Sequence, residues 1–339
     1  MSLLPFLHWV SDRENLTAAE AHQAMSVILD GAAGDALLSA FLMALRMKGE
    51  TAAELAGFAR AMRERAVFVD AGPDVIDTCG TGGDGAGTFN ISTVAALVMA
   101  GAGARVAKHG NRSISSTTAG SAEMMEALGV RFAMSPEEAA CAVREIGIGF
   151  LFAPHMHPAM KHAQPVRREL KLRTVFNLLG PLVNPARAQS QLIGAPSPAA
   201  AQLMAEALAE LGTRRTFVVH GHDGLDEIST TGATDVYEVS TGRVIKTVWM
   251  PSDFGVPRAS ISDLQGGDPT RNAEIARQIL GGEKNPARDI VLVNAAAGLV
   301  AAGVASDLRQ GMSAAARSID SGAAADRLAR LQEKYPLSL

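Results

Sequence analysis

The sequence predicts an α/β fold with a small all-helical amino-terminal part, on three observations. Capping signals and apolar residues at helical spacing run through residues 17–66 with no strand among them. After residue 70, short apolar runs alternate with helical stretches, the pattern of a mostly parallel sheet covered by helices. Three of the predicted strands are followed by loops rich in glycine, cations or carboxylates.

The helices come first. Thr17 with Glu20 three residues on forms a capping box, and Ala21, Ala24, Met25 and Ile28 follow on one face until Asp30-Gly31. Asp35 is expected to cap a second helix that buries Leu38, Phe41, Leu42 and Leu45 and breaks at Lys48-Gly49-Glu50. Thr51 and Glu54 form another box, with Leu55, Phe58, Ala59 and Met62 facing inward. Strands are expected at 75–77, 104–108, 148–152, 191–194, 216–220, 235–239 and 244–249. Helices are expected at 92–100, 121–128, 136–146, 197–212, 271–281, 286–303 and 311–334. Residues 161–179 turn helical and basic again, and could cross back to the first helices. The expected division is therefore 1–70 plus about 161–182 as a helical domain, with 71–160 and 183–339 as an α/β domain.

Composition narrows the function. Apolar residues make up 47% and charged residues 19%, an ordinary soluble balance, and aromatics only 4%, so Ala, Leu, Val and Met must fill the core. A net charge of −4 argues against general nucleic-acid binding. Cys79 and Cys141 form no Cys-x-x-Cys pair and no disulfide framework, and no apolar run reaches membrane length. A soluble, cytoplasmic protein without membrane or nucleic-acid partners is expected.

The segment Asp77-Thr78-Cys79-Gly80-Thr81-Gly82-Gly83-Asp84-Gly85-Ala86-Gly87-Thr88-Phe89-Asn90-Ile91-Ser92-Thr93 holds five glycines in eight residues between a strand and a helix. Such a loop lets backbone amides converge on an anion at a helix N-terminus, with the Ser92 and Thr93 hydroxyls beside a phosphate or metal. Gly80-x-Gly82-x-x-Gly85 matches the dinucleotide fingerprint literally. Six loop-like residues then delay the helix, and Arg105 and Lys108 stand near where an acidic residue is needed, which excludes it. The Gly-Lys-Ser/Thr of a P-loop is absent. Lys108-His109-Gly110-Asn111-Arg112-Ser113-Ile114-Ser115-Ser116 is a basic, hydroxyl-rich loop that would lie beside the first and complete a cradle for a polyanion. The adjacent carboxylates Asp226 and Glu227 suit magnesium, which keeps waters and shares substrate oxygens. His220 with His222, and His155 with His157, lack a closed zinc ligand set and read as packing or local hydrogen bonding. The basic run 161–173 is either a solvated face or a carboxylate receptor. Pattern alone does not choose the arginine.

Together these segments, with Asn177-Leu178-Leu179-Gly180-Pro181-Leu182-Val183-Asn184-Pro185, Asp223-Gly224-Leu225-Asp226-Glu227 and Phe41-Leu42-Met43-Ala44-Leu45-Arg46-Met47-Lys48-Gly49, resemble the anthranilate phosphoribosyltransferases from about residue 15 onward. The resemblance implies the two-domain architecture shared by nucleoside phosphorylases and these transferases, with a mostly parallel central sheet and a homodimer through the helical part. It implies transfer of 5-phosphoribosyl from phosphoribosyl diphosphate to the amine of anthranilate in tryptophan biosynthesis, a pentosyltransferase reaction requiring Mg2+. By motif position, Gly80, Gly83, Asp84, Thr88, Asn90, Ile91, Ser92 and Thr93 of the first loop would contact phosphoribosyl diphosphate. So would Lys108, His109, Gly110, Asn111, Arg112, Ser113, Ser115, Ser116 and Ser121 of the second. Gly80, Asn111 and Arg167 would meet anthranilate, and Ser92, Asp226 and Glu227 would hold the metal. No residue is expected to be essential as an acid or base. One departure is that Ser115-Ser116-Thr117-Thr118-Ala119-Gly120-Ser121 is a residue longer than the family's usual turn and lacks its lysine. The alternatives are a pyrimidine-nucleoside phosphorylase and a non-catalytic nucleic-acid-binding paralogue.

Overall fold

A computed structural model describes residues 2–82, 85–112 and 119–337. The chain opens with four helices, α1 (Leu4–Ser11), α2 (Ala18–Leu29), α3 (Asp35–Lys48) and α4 (Ala52–Arg65). There follow β1 (Val75–Gly80), α5 (Ile91–Gly101), β2 (Arg105–Gly110), α6 (Ser121–Ala127), α7 (Pro136–Ile146) and β3 (Ile148–Phe152). The short helices α8 (Ala153–Met156), α9 (Gln164–Leu170) and α10 (Val175–Leu179) lead to β4 (Ser190–Gly194), α11 (Pro198–Leu211), β5 (Arg215–Gly221), β6 (Thr234–Ser240) and β7 (Arg243–Trp249). The chain closes with α12 (Pro269–Leu280), α13 (Pro286–Ala301), α14 (Leu308–Asp320) and α15 (Ala323–Lys334).

Local chemistry explains most helix starts. The Thr17–Glu20 and Thr51–Glu54 boxes form as expected, as does Ser135–Glu138 at α7. Proline at the first turn follows a capping Ser197, Asp268 or Asn285 at α11, α12 and α13. The structure departs from expectation at four places. The apolar opening residues form α1. Gly34, not Asp35, is the cap of α3, and Asp35 instead sits in the first turn without a capping bond. The helix expected over 311–334 is two, parted at Ser321-Gly322, where Gly322 takes φ +78°. Strand β2 runs on to Gly110, so Lys108, His109 and Gly110 lie in the sheet and not in the loop that follows.

The seven strands form one sheet in the order β3-β2-β1-β4-β5-β6-β7. The first five are parallel, β6 runs antiparallel to β5, and β7 runs antiparallel to β6. Alternation along the strands divides the core. Leu192, Phe217, Val219 and Val236 pack with α5, α13 and the carboxyl-terminal helices. Ile193, Val218, Tyr237 and Val239 pack with α11, and that apolar cluster continues into α1–α4, Val166 and α10. The basic stretch does reach the first helices: Arg46 donates to Arg173 O at 2.8 Å, and Arg63 Nε donates to Leu182 O at 2.7 Å. Among the described residues no helix is long and apolar enough to cross a membrane.

Candidate active site

Strand order reverses between β1 and β4, which lie side by side while β2 and β5 flank them. In open parallel sheets the crevice at the carboxyl edge of such a switch is where ligands bind. The glycine-rich loop leaves that edge at Gly80, and the acidic turn arrives there after β5. Gly82 N–H donates to Asp226 Oδ2 at 2.8 Å, and Ser92 N–H donates to Glu227 Oε1 at 3.1 Å. Asp226 and Glu227 are both buried. The acidic turn is organised by Asp223, which accepts from Leu225 N at 3.2 Å and from Ser229 Oγ at 2.5 Å. Its far end is held by Asn294 of α13, wholly buried, which accepts from Ile228 N at 2.9 Å and donates to Ile228 O at 3.0 Å.

Because Lys108 and His109 are consecutive in β2, they face opposite sides of the sheet. Lys108 points into the crevice. Its Nζ donates to Thr78 O at 2.7 Å and to Ser92 Oγ at 3.4 Å. Burial lowers the Lys108 pKa, while the Asp77 carboxylate pulls it back up. Asp77 lies fully buried in β1 and accepts from His109 N at 3.1 Å. Its pKa is raised by burial, against the opposing pull of an Asn184 hydrogen bond and the Lys108 charge. Lys108 therefore places one cation against the serine at the head of α5.

The His109 ring leaves the crevice. Its Nδ1 donates to Gly180 O at 3.2 Å, its centroid is 5.2 Å from that of His157, and its Nε2 is buried with no partner among the described residues. Burial, then the neighbouring His157, depresses the His109 pKa to about 3, and burial depresses that of His157 to about 4. Both folded-state values lie below the ordinary 6.5. Between pH 6.5 and those values the unfolded chain binds protons the folded chain refuses, so this contribution to stability falls as pH falls. The expected loss is about 1.4 kcal/mol per pH unit for each histidine. Chemical denaturation at pH 7, 6 and 5 should show the wild type losing more stability than His109→Gln/His157→Gln. Parallel profiles would show that the rings carry no such penalty.

The other expected site residues divide into groups. Gly80, Ser92, Lys108, Asp226 and Glu227 converge as described. The Thr93 hydroxyl is buried beside them without a partner among the described residues, as is that of Thr81. Ile91 is buried at the first turn of α5, and Thr88 bridges to Gln265. Asn90 joins Ala119 O to Asn272, with bonds of 2.8 and 3.0 Å. Gly110 fits because a Cβ there would sit 2.5 Å from Ser121 Oγ and Phe150 Cζ. Ser121 Oγ donates to Asn111 O at 3.3 Å, and Asn111 Oδ1 accepts from Arg112 N at 2.8 Å. Arg112 turns away from the crevice to Glu126 at 3.2 Å and lies over Phe132 at 4.6 Å. Arg167 is half-buried on α9 and stacks over Phe176 at 5.3 Å. It has no ion pair among the described residues, and burial lowers its pKa. No hydrogen bond among the described residues joins it to Asn111 or to the glycine loop. Gly83, Asp84, Ser113, Ser115 and Ser116 lie outside the described residues.

His220 and His222 make local hydrogen bonds, with Nδ1 of His220 on Ala195 O at 2.9 Å and His222 on Asp235 at 3.1 Å. Sequence reasoning passed over Asp77, Gly194, Asn272 and Asn294. The one available signal was a buried-type helix interrupted by an amide, as in Val291-Leu292-Val293-Asn294-Ala295.

The donor set fits magnesium. Two adjacent carboxylates and the Ser92 hydroxyl are hard oxygen ligands. No group of three or more His, Cys, Asp or Glu among the described residues makes a closed cage. Magnesium prefers that arrangement, with water and substrate oxygens filling the remaining positions.

A helical bundle leading into a sheet whose switch-point crevice gathers amides, a lysine and two carboxylates is the design of a glycosyl transferase acting on a phosphorylated sugar. Residues 5–66 match the family described as "Glycosyl transferase family, helical bundle domain", and residues 72–325 match "Glycosyl transferase family, a/b domain". The chain is 60% identical over 336 residues to the anthranilate phosphoribosyltransferase of Solibacter usitatus, covering 98% of each chain. It is 52% identical to that of Moorella thermoacetica, covering 93% of each. The crystal structure of the Thermus thermophilus enzyme superposes with a TM-score of 0.90 at 44% identity, covering 96% of this chain and 97% of that one. The Saccharomyces cerevisiae enzyme, in complex with PRPP and Mg, superposes at 0.88 and 30% identity, covering 98% and 97%. The chain belongs to the anthranilate phosphoribosyltransferase family.

Proposed function

We propose that this chain transfers the 5-phosphoribosyl group of phosphoribosyl diphosphate to the amine of anthranilate, releasing diphosphate, as a cytoplasmic step of tryptophan biosynthesis. The observation that carries the reading is the meeting of three chain-distant segments at one sheet edge, seen in the Gly82–Asp226, Ser92–Glu227 and Lys108–Ser92 bonds. The glycine loop, the head of α5 and Lys108 take the phosphates, with Asn90, Thr88 and Thr93 beside them. Asp226, Glu227 and Ser92 hold Mg2+. Arg167 and Asn111 receive anthranilate on the side of Gly80. The helical unit comprises residues 1–70 with about 161–182. Its exposed Leu4, Trp9 and Met47, on the mutually packed α1 and α3, support a homodimer through that unit.

In the reaction the anomeric C–O bond to diphosphate breaks as the amine nitrogen bonds to the same carbon, and the nitrogen then loses a proton to water. Cleavage at an anomeric centre gives the sugar oxocarbenium character. Bound magnesium would offset the charge gathering on the departing diphosphate. Lys108 and the loop amides act on the same charge, already oriented before the reaction. An aromatic amine is uncharged at neutral pH, so positioning is the remaining demand on the protein. The half-buried Arg167, over the ring of Phe176, offers a guanidinium to the anthranilate carboxylate.

Loss of anthranilate fluorescence on mixing with phosphoribosyl diphosphate and Mg2+ tests the reading, and a chain inert in that assay would overturn it. In the same assay Arg167→Ala should raise KM for anthranilate about tenfold or more, the loss of a charge-assisted pair. KM for phosphoribosyl diphosphate should move less than twofold. Equal losses for both substrates would remove Arg167 from the anthranilate site.

A further inference from the structure

The first turn of α5 is built in an unusual way. Asn90 occupies its N-cap position, where an asparagine side chain ordinarily accepts from the amides of the first turn. Here it makes no capping bond. Its Oδ1 instead accepts from Asn272 Nδ2 at 3.0 Å, and its Nδ2 donates to Ala119 O at 2.8 Å. The Asn90 backbone carbonyl takes the Thr93 amide at 3.1 Å and the Val94 amide at 3.2 Å. The Ser92 amide goes to Glu227.

Asn272 is itself wholly buried in α12. A buried amide is costly unless both ends are paired, and an apolar residue there would be the simpler way to pack a helix. Both ends are paired: Oδ1 accepts from Gly267 N at 2.8 Å while Nδ2 reaches Asn90. The Gly267 bond matters because residues 264–267 strap the glycine loop from outside. Phe89 N donates to Leu264 O at 3.3 Å, Gly266 N to Gly87 O at 2.9 Å, and Gln265 Nε2 to Ala86 O at 3.2 Å. The strap lies so close that a Cβ on Gly266 would be 2.6 Å from Phe89 N. One side chain thus anchors the strap and joins it to Asn90 at the head of α5. Through Asn90 it also ties the chain leading into α6 to the head of α5.

We propose that Asn272 is a positioning residue for the polyphosphate end of the site, acting through Asn90 to hold the head of α5 against the 264–267 strap and the chain at Ala119. The inference rests on the function proposed above. Without Asn272, Asn90 Oδ1 loses its partner and its hold on Ala119 is weakened.

Calorimetric binding of phosphoribosyl diphosphate with Mg2+, in the absence of anthranilate, tests this beside steady-state kinetics. Asn272→Ala is expected to weaken that binding and raise KM for phosphoribosyl diphosphate at least tenfold, with KM for anthranilate changed less than twofold. Asn272→Asp keeps the acceptor for Gly267 and loses the donor to Asn90. It should show the same split with a smaller fall in Tm, and it decides the matter if the alanine variant does not fold. In an Asn90→Ala background, Asn272→Asp should add nothing to the binding loss. A lowered Tm with unchanged binding, or losses that simply add in the double variant, would overturn the proposal. A wild-type chain that binds no phosphoribosyl diphosphate would remove the underlying reading, an outcome distinct from a wild type that binds and variants that bind equally well.

Discussion

Asp226→Asn combined with Glu227→Gln is expected to lower magnesium-supported turnover about a thousandfold while leaving the chain folded. Each carboxylate accepts a backbone amide, from Gly82 at 2.8 Å and from Ser92 at 3.1 Å. The amide side chains retain an acceptor oxygen of the same reach, so the loop keeps its anchors. What they lose is charge, and with it the ligands of a hard dication. Stabilisation of a leaving group by a metal is worth about 4 kcal/mol, and about 1.4 kcal/mol corresponds to each tenfold in rate. A titration of turnover against Mg2+ should show a much higher half-saturating concentration, with Tm close to that of the wild type. An unchanged titration would remove the metal role. A collapsed Tm would show that the two charges serve the fold.

What could be read beforehand and what could not divides by the range of the contacts involved. The Thr17–Glu20 and Thr51–Glu54 boxes are closed within four residues, so their residue types announce them. The glycine loop and the Asp226-Glu227 pair were visible because each concentrates unusual residues in a short stretch. Their meeting spans 144 residues at Gly82–Asp226, and only the order of the strands brings it about. The split between Lys108 and His109 depended on where β2 ends. With the strand ended at residue 108 His109 falls in the loop beside Lys108; with it ended at Gly110 the two must face opposite ways. The contacts of Asn272 and Asn294 were out of reach for another reason. Their partners lie 182 and 66 residues away, and one of them is backbone, which carries no mark in the sequence.

The second large effect comes from two glycines that are neighbours across the sheet. Gly80 of β1 and Gly194 of β4 are register partners, and the Asp226 turn lies on top of both. A Cβ on Gly194 would overlap the Asp226 carbonyl oxygen and sit 2.5 Å from its carbonyl carbon, which is backbone and has nowhere to go. A Cβ on Gly80 would press on the carboxylate, with Asp226 Cγ at 2.9 Å, and a side chain can rotate aside. The two alanine substitutions should therefore fail differently. Gly194→Ala displaces the acidic turn from the sheet and should cost about 3 kcal/mol, the upper end of ordinary overpacking, together with most of the activity. Gly80→Ala should leave Tm within a few degrees of wild type, yet swing the Asp226 carboxylate off the Gly82 amide. It should raise the magnesium requirement and lower kcat/KM by about a hundredfold, the worth of one oriented charged contact. Thermal unfolding and magnesium titration of both variants give the comparison. If Gly194→Ala unfolds like the wild type, the close seat of Asp226 on β4 is not what holds the carboxylates at the crevice. The site would then owe its geometry to the Asn294 clamp on Ile228 alone.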